Sequence, residues 1–126
     1  MSALRAIDLF AGCGGFSQGL KNLTTLRDVK IELAIDILND ALATFKRNIP
    51  EANCISGDIK NIRRRDLESS LNIKRGDIDM IIGGPPCQGF SSIRPFRSSK
   101  DDDPRNNLFL EYASFLNYFR PKFFVL

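Results

Sequence analysis

Histidine is absent from this 126-residue chain, and cysteine occurs only three times, at Cys13, Cys54 and Cys87. Without histidine the chain cannot by itself assemble a Cys-His protease or a Ser-His-Asp hydrolase. The odd cysteine count and the lack of any CxxC spacing argue against a disulfide framework and against a zinc site, so no metal is expected. Long apolar runs are missing too. None approaches the roughly 20 residues that span a bilayer, and the start, "MSALRAIDLF", carries no signal-peptide pattern. The expectation is a cytoplasmic protein with no membrane partner and reduced thiols, in which a special cysteine is special by reactivity.

Neither sign of charge dominates. Eighteen Lys and Arg against fifteen Asp and Glu leave a net charge of +3, which permits a nucleic-acid partner without establishing one. A hydrophobic fraction of 43% and a charged fraction of 26% fit one modest soluble domain.

What is present is an alternation of short apolar runs and amphipathic stretches. "RAIDLFAG" (5–12) reads as a buried strand running into a glycine turn, and "FSQGLKNL" (16–23) has helical spacing at Phe16, Leu20 and Leu23. "KIELAID" (30–36) reads as a second strand, followed by a helix over 39–48 with Asn39 as its N-cap. "ANCISGD" (52–58) is a third strand with Cys54 in the core, and "IRRRDLESSL" (62–71) a polar helix whose arginines, 63 to 65, form a solvated face. "DIDMIIGG" (77–84) is apolar enough for a strand buried on both faces. Residues 91–105, "SSIRPFRSSKDDDPR", have no periodicity and read as a long functional loop. Leu108, Phe109, Tyr112, Phe115, Leu116 and Phe119 then form one helical stripe, capped by Asn106 or Asn107, and "KFFVL" (122–126) begins a fifth buried strand. This alternation predicts an α/β fold, a mostly parallel sheet with helices on both faces, in one domain covering residues 1–126.

Two places in that pattern carry chemistry. The first is "DLFAGCGG" (8–15), a glycine turn between a strand and a helix, where backbone N–H groups can face a nucleotide-type ligand. The G-x-G-x-x-G dinucleotide pattern fails at its third position, which is Ser17. Asp36 and Asp58 close the next two strands, and carboxylates there can accept from ribose hydroxyls and from an exocyclic amine; each can equally be a helix N-cap. Their register with the glycine turn favours a nucleoside cofactor. Cys13 lies within that turn and either lines the site or fills space.

The second place is "GGPPCQGFS" (83–91). Two glycines allow close backbone approach, and Pro85 and Pro86 fix the chain just before Cys87. A structural core cysteine needs no such mount, so Cys87 reads as a pre-organised nucleophile at the ligand-binding end of the sheet.

"DLFAGCGGFSQGL" followed by "GGPPCQGFS", with "GDI" between them and "DPRNNLF" and "RPKFFVL" after, resembles the DNA (cytosine-5)-methyltransferases over essentially the whole chain. The resemblance implies a Rossmann-like fold, S-adenosylmethionine as cofactor, and transfer of its methyl group to carbon 5 of cytosine in double-stranded DNA through a covalent Cys87 adduct. It implies cofactor contacts from Phe10, Ala11, Gly12, Gly14 and Gly15, ribose binding by Asp36 and adenine binding by Asp58 and the backbone of Ile59, with Leu108 as an apolar contact. Ile37 stands where an aromatic residue commonly stacks on adenine. Gln88, Ser91 and Arg105 would contact DNA near a flipped base, with residues 91–103 as the loop that closes over it.

Family members continue past the fifth strand with Glu-Asn-Val and later a target-recognition domain, so the resemblance implies an incomplete catalytic domain, inactive alone. That is a fragment, or one half of a split enzyme completed by a second chain. A bacterial or archaeal restriction-modification partner, bound to the nucleoid through DNA, is the expected setting. A transfer-RNA cytosine-5 methyltransferase and a non-catalytic remnant are the alternative readings.

Overall fold

The computed structural model of the chain describes residues 2–23, 27–86 and 106–126. Within them five strands form one wholly parallel sheet: β1 (Leu4–Leu9), β2 (Val29–Asp36), β3 (Asn53–Ser56), β4 (Met80–Gly83) and β5 (Phe123–Val125). Their spatial order is β3-β2-β1-β4-β5. The chain starts in the middle, winds outward to β3, then crosses back to β4 on the other flank of β1. That reversal is the switch point at which open α/β sheets bind ligands, just beyond the carboxyl ends of the strands.

The helices are α1 (Gly15–Asn22), α2 (Asn39–Asn48), α3 (Arg64–Leu71) and α4 (Asn106–Phe119), with a 3₁₀ turn at Ile59–Asn61. Strand alternation sorts the core into two layers. Ile7, Leu9, Leu33, Ile35 and Ile81 face α3 and α4 through Leu67, Tyr112, Phe115 and Phe119. Ala6, Ile31 and Ala34 face α2 through Leu42, Phe45 and Ile49. Ile31 and Leu33 reach opposite layers because the register shifts between Ala6 and Ile7, leaving Glu32 as the extra residue. Glu32, nearly buried, is paired by Arg5 at 2.8 Å and Lys30 at 3.1 Å.

Several sequence expectations need correction. Asn39 is not an N-cap: Leu38 holds that position, and its N–H donates to Asp36 Oδ1 at 2.8 Å, so the acid two residues upstream opens α2. Asn106 and Asn107 both lie inside α4. Arg64 is no part of a solvated face: it pairs with Glu111 and stacks over Phe115 at 4.6 Å, docking α3 on α4, while Arg63 and Arg65 stay exposed. Phe109 is exposed and falls outside the α4 stripe. In α1 the periodicity misleads. Phe16 and Leu23 are exposed, and the one fully buried residue is Ser17. Strand β5 is exposed along its length, and among the described residues only β4 pairs with it. Cys54 is half-buried against the α2 layer, and burial pushes its thiol up. Among the described residues no helix is long and apolar enough to cross a membrane.

The tightest approach lies at the switch point. A Cβ on Gly83 would sit 2.4 Å from the Leu9 carbonyl oxygen and 3.0 Å from the Tyr112 ring. Backbone cannot give way there as a side-chain tip could. Gly83→Ala is therefore expected to destabilise the full chain by about 1–3 kcal/mol. Gly19→Ala, inside α1 with open space around it, is expected to stabilise by roughly 0.5–1 kcal/mol. Urea denaturation midpoints check both signs.

Candidate functional site

The carboxyl ends of β1 to β4 open onto a cavity of about 400 Å³, within the range of small-molecule sites. Phe10, Asp36, Ile37, Asp58, Ile59 and Leu108 line it, six residues drawn from four separate parts of the chain. Ile35, Leu38, Gly57, Lys60, Gly84 and Pro86 complete the wall. Both of the last two come from the segment leading to Cys87.

The geometry begins at the end of β1. Phe10 leaves the strand with φ 57, and Gly12 (φ 55) and Gly14 (φ 98) continue the left-handed turn. Glycine relieves the strain of that conformation at two of the three positions. At Gly14 it also makes room, since a Cβ would lie 2.8 Å from the Phe45 ring. The outward limb of the turn is tied to β2: Ala11 N donates to the Ile35 carbonyl at 3.0 Å and Gly12 N to Asp36 Oδ2 at 2.9 Å. Cys13 is exposed within the turn. Ala11 is buried beneath it, and Gly15 begins α1. Of the predicted cofactor residues, Ala11, Gly12, Gly14 and Gly15 thus shape the turn and do not line the cavity itself.

Asp36 serves two elements at once, because Oδ1 accepts from Leu38 and Oδ2 from Gly12. Each carboxylate oxygen has a second acceptor site, so the group can hold the turn and still receive ligand hydroxyls. Asp58 caps the 3₁₀ turn by accepting from Lys60 N at 3.0 Å. The capping role and a place on the cavity wall coexist in both acids. Ile37 is exposed, with room to lie flat on a planar ring. Two carboxylates together with apolar side chains suit a nucleoside that carries positive charge. Cys87, Gln88, Ser91 and Arg105, with the loop over 91–103, lie outside the described residues. No metal-binding cluster occurs among the described residues.

Two residues under the turn had no signal in the hydrophobic pattern. Asp8, next to the carboxyl end of β1, is 1% exposed, and Ser17 Oγ donates to its Oδ2 at 2.6 Å. Its Oδ1 is buried with no hydrogen-bond partner among the described residues. Burial first, then the charge of Asp36, raise the Asp8 pKa to about 6 against the pull of Ser17. The available clue was an acid inside an otherwise apolar strand.

This is the fold of the S-adenosylmethionine-dependent methyltransferases, with the ligand cavity at the switch point of a Rossmann-like sheet. The chain belongs to the C-5 cytosine-specific DNA methylase family, whose model matches residues 4–126. It is 44% identical over 123 residues to the type II methyltransferase M.DdeI of Desulfomicrobium norvegicum and 37% identical over 123 residues to M.AgeI of Thalassovita gelatinovora. Each match covers 98% of this chain and 27% of the relative. Among solved structures, a prophage-encoded E. coli protein described as a DNA modification methyltransferase superposes with a TM-score of 0.76 at 31% identity, covering 97% of this chain and 31% of that one. The chain therefore spans less than a third of the length of these relatives.

The raised Asp8 pKa has a defined consequence for stability. Below about pH 4 the carboxyl is protonated in both the folded and unfolded chain and costs nothing. Between about 4 and 6 the unfolded chain ionises while the folded one resists, so stability falls as pH rises, by on the order of 3 kcal/mol once Asp8 is charged in both. Asp8→Asn should remove that slope. Its stability relative to the unmodified protein is expected to rise from pH 4 to pH 7 and then level off, as read from denaturation curves at each pH.

Proposed function

We propose that residues 1–126 are the cofactor-binding and nucleophile-bearing part of a catalytic domain that methylates carbon 5 of cytosine in double-stranded DNA, in the cytoplasm, as part of a restriction-modification system. The observation that carries this reading is the cavity at the switch point. It brings together Phe10, Asp36, Ile37, Asp58, Ile59 and Leu108, and its wall includes Gly84 and Pro86, which precede Cys87 in the sequence.

S-adenosylmethionine, when bound, supplies a methyl group made electrophilic by its sulfonium centre. Asp36 would receive the ribose hydroxyls and Asp58 the exocyclic amine of adenine. The Ile59 backbone would meet the ring edge, while Phe10, Ile37 and Leu108 would cover the ring. The turn formed by Ala11, Gly12, Gly14 and Gly15 lets the backbone come close to the rest of the molecule.

Carbon 5 of cytosine is a weak nucleophile. The Cys87 thiolate adds at carbon 6, and the electron pair displaced from the ring double bond makes carbon 5 reactive. Carbon 5 would take the methyl group as the sulfonium sulfur keeps the bonding pair, leaving S-adenosylhomocysteine, and would then give its proton up to water. The double bond re-forms and the thiolate leaves, so sulfur ends as it began. Attack from above the ring plane requires the base to leave the helical stack. Gln88, Ser91 and Arg105 contact the DNA around it.

The test is trapping on duplex DNA containing 5-fluorocytosine, because fluorine at carbon 5 blocks the last elimination. With S-adenosylmethionine present, the complete catalytic domain containing residues 1–126 should form a covalent adduct stable to denaturation, and its Cys87→Ala variant should form none. An adduct that survives the substitution would exclude Cys87 as the nucleophile. Duplex DNA and transfer RNA offered side by side decide the substrate: methyl transfer to DNA is expected, and transfer to RNA alone would reassign it.

A further inference from the structure

We propose that Asp8 and Ser17 form a positioning pair that sets cofactor affinity by fixing the return limb of the glycine turn. The inference rests on the cofactor reading above and assigns a role to residues outside the cavity wall.

The turn is anchored at both limbs, by different means. Going out, Ala11 and Gly12 are tied to the end of β2 through the Ile35 carbonyl and Asp36. Coming back, Gly14 N bonds Ala11 O within the turn and Gln18 N bonds Gly14 O as α1 starts. Those bonds close the turn on itself without fixing where it sits. Within α1, the side-chain bond from Ser17 to Asp8 at 2.6 Å is what ties the helix start to the sheet. Asp8 pairs in register with Ala34 of β2 and Ile82 of β4, in the most constrained part of the molecule. Phe10, which lines the cavity, stands two residues after Asp8 and seven before Ser17. A shift of α1 along the sheet would therefore carry Gly14 and Gly15, the return limb, away from the outgoing limb that β2 holds beside Phe10.

The chemistry of the pair fits this role better than a purely structural one. A residue needed only to fill the space under α1 would be apolar, as its neighbours in β1 are. A hydroxyl donating to a carboxylate is roughly twice as strong as a neutral hydrogen bond and far more directional. The carboxylate is held there although Oδ1 is left without a partner and Asp36, on β2, repels it. Among the described residues, Tyr112 of α4 also feels the charge of Asp8, and its hydroxyl donates to the Ile81 and Val125 carbonyls. Protonating Asp8 converts the charge-assisted bond into a neutral one and loosens the return limb. Cofactor affinity should then weaken as pH falls through the range in which Asp8 titrates.

The experiment measures the dissociation constant of S-adenosylhomocysteine by calorimetry, in the full chain, from pH 5 to 7.5. For the unmodified protein the constant should rise several-fold between pH 7.5 and 5. Asp8→Asn keeps a neutral acceptor for Ser17, so its affinity should be flat with pH and match the unmodified protein's value at pH 5. Ser17→Ala should bind about tenfold more weakly at pH 7.5, again without a pH slope. An unchanged constant in Ser17→Ala, or the same slope in Asp8→Asn as in the unmodified protein, overturns the proposal. If Ser17→Ala does not fold, the Asp8→Asn slope decides alone. Failure of the unmodified protein to bind S-adenosylhomocysteine would overturn the cofactor reading and this inference together. Binding with no response to either substitution overturns only the inference.

Discussion

Strand β1 is hydrogen bonded along both flanks, to β2 on one side and β4 on the other, and all three run the same way. Everything at the site depends on that double pairing. It makes β1 the fixed element from which the chain must leave in two directions, and so creates a crevice between its carboxyl end and that of β4. It also demands that the backbones of Leu9 and Gly83 approach more closely than any side chain permits. The glycine in β4 is thus a requirement of the sheet before it is a feature of the segment leading to Cys87.

The same arrangement explains why single acids do several jobs. Asp36 ends β2 where the glycine turn, the start of α2 and the cavity all meet, and its two oxygens reach the first two while facing the third. Asp58 caps a turn and lines the same cavity. Helix capping and ligand binding are not competing explanations at such positions. A carboxylate held by backbone N–H groups is already oriented, so less freedom is lost when a ligand adds its own hydrogen bonds. Asp8 shows the opposite balance: burial opposes its charge, and the group persists beneath a turn that has to be held still.

Across the sheet, α4 carries Leu108 to the cavity from far along the chain, and it is held there by contacts that sequence periodicity described only in part. Tyr112, Phe115 and Phe119 supply the buried stripe, while Phe109 turns outward. Arg64, in a run of three arginines, is withdrawn from solvent to pair with Glu111 and lie over Phe115. Three adjacent cations cannot all share a helix face: at about 100° per residue, the middle one points where its neighbours do not, and here that direction is α4.

The sequence by itself determined the alternation of strands and helices, the parallel sheet, and the turn and acids at the strand ends, because each is written in local patterns: short apolar runs, glycines at a turn, an acid after a strand. It also carried the family resemblance, through "DLFAGCGG" and "GGPPCQGFS". Tertiary structure alone decided which of those residues meet. Phe10, Asp58 and Leu108 share a cavity wall only because the chain reverses its winding about β1. The local pattern pointed the wrong way for α1, where Phe16 is exposed and Ser17 is buried. A helical stripe predicts burial from hydrophobicity, whereas Ser17 is buried by a hydrogen bond to an acid nine residues earlier, and such a bond has no period to read.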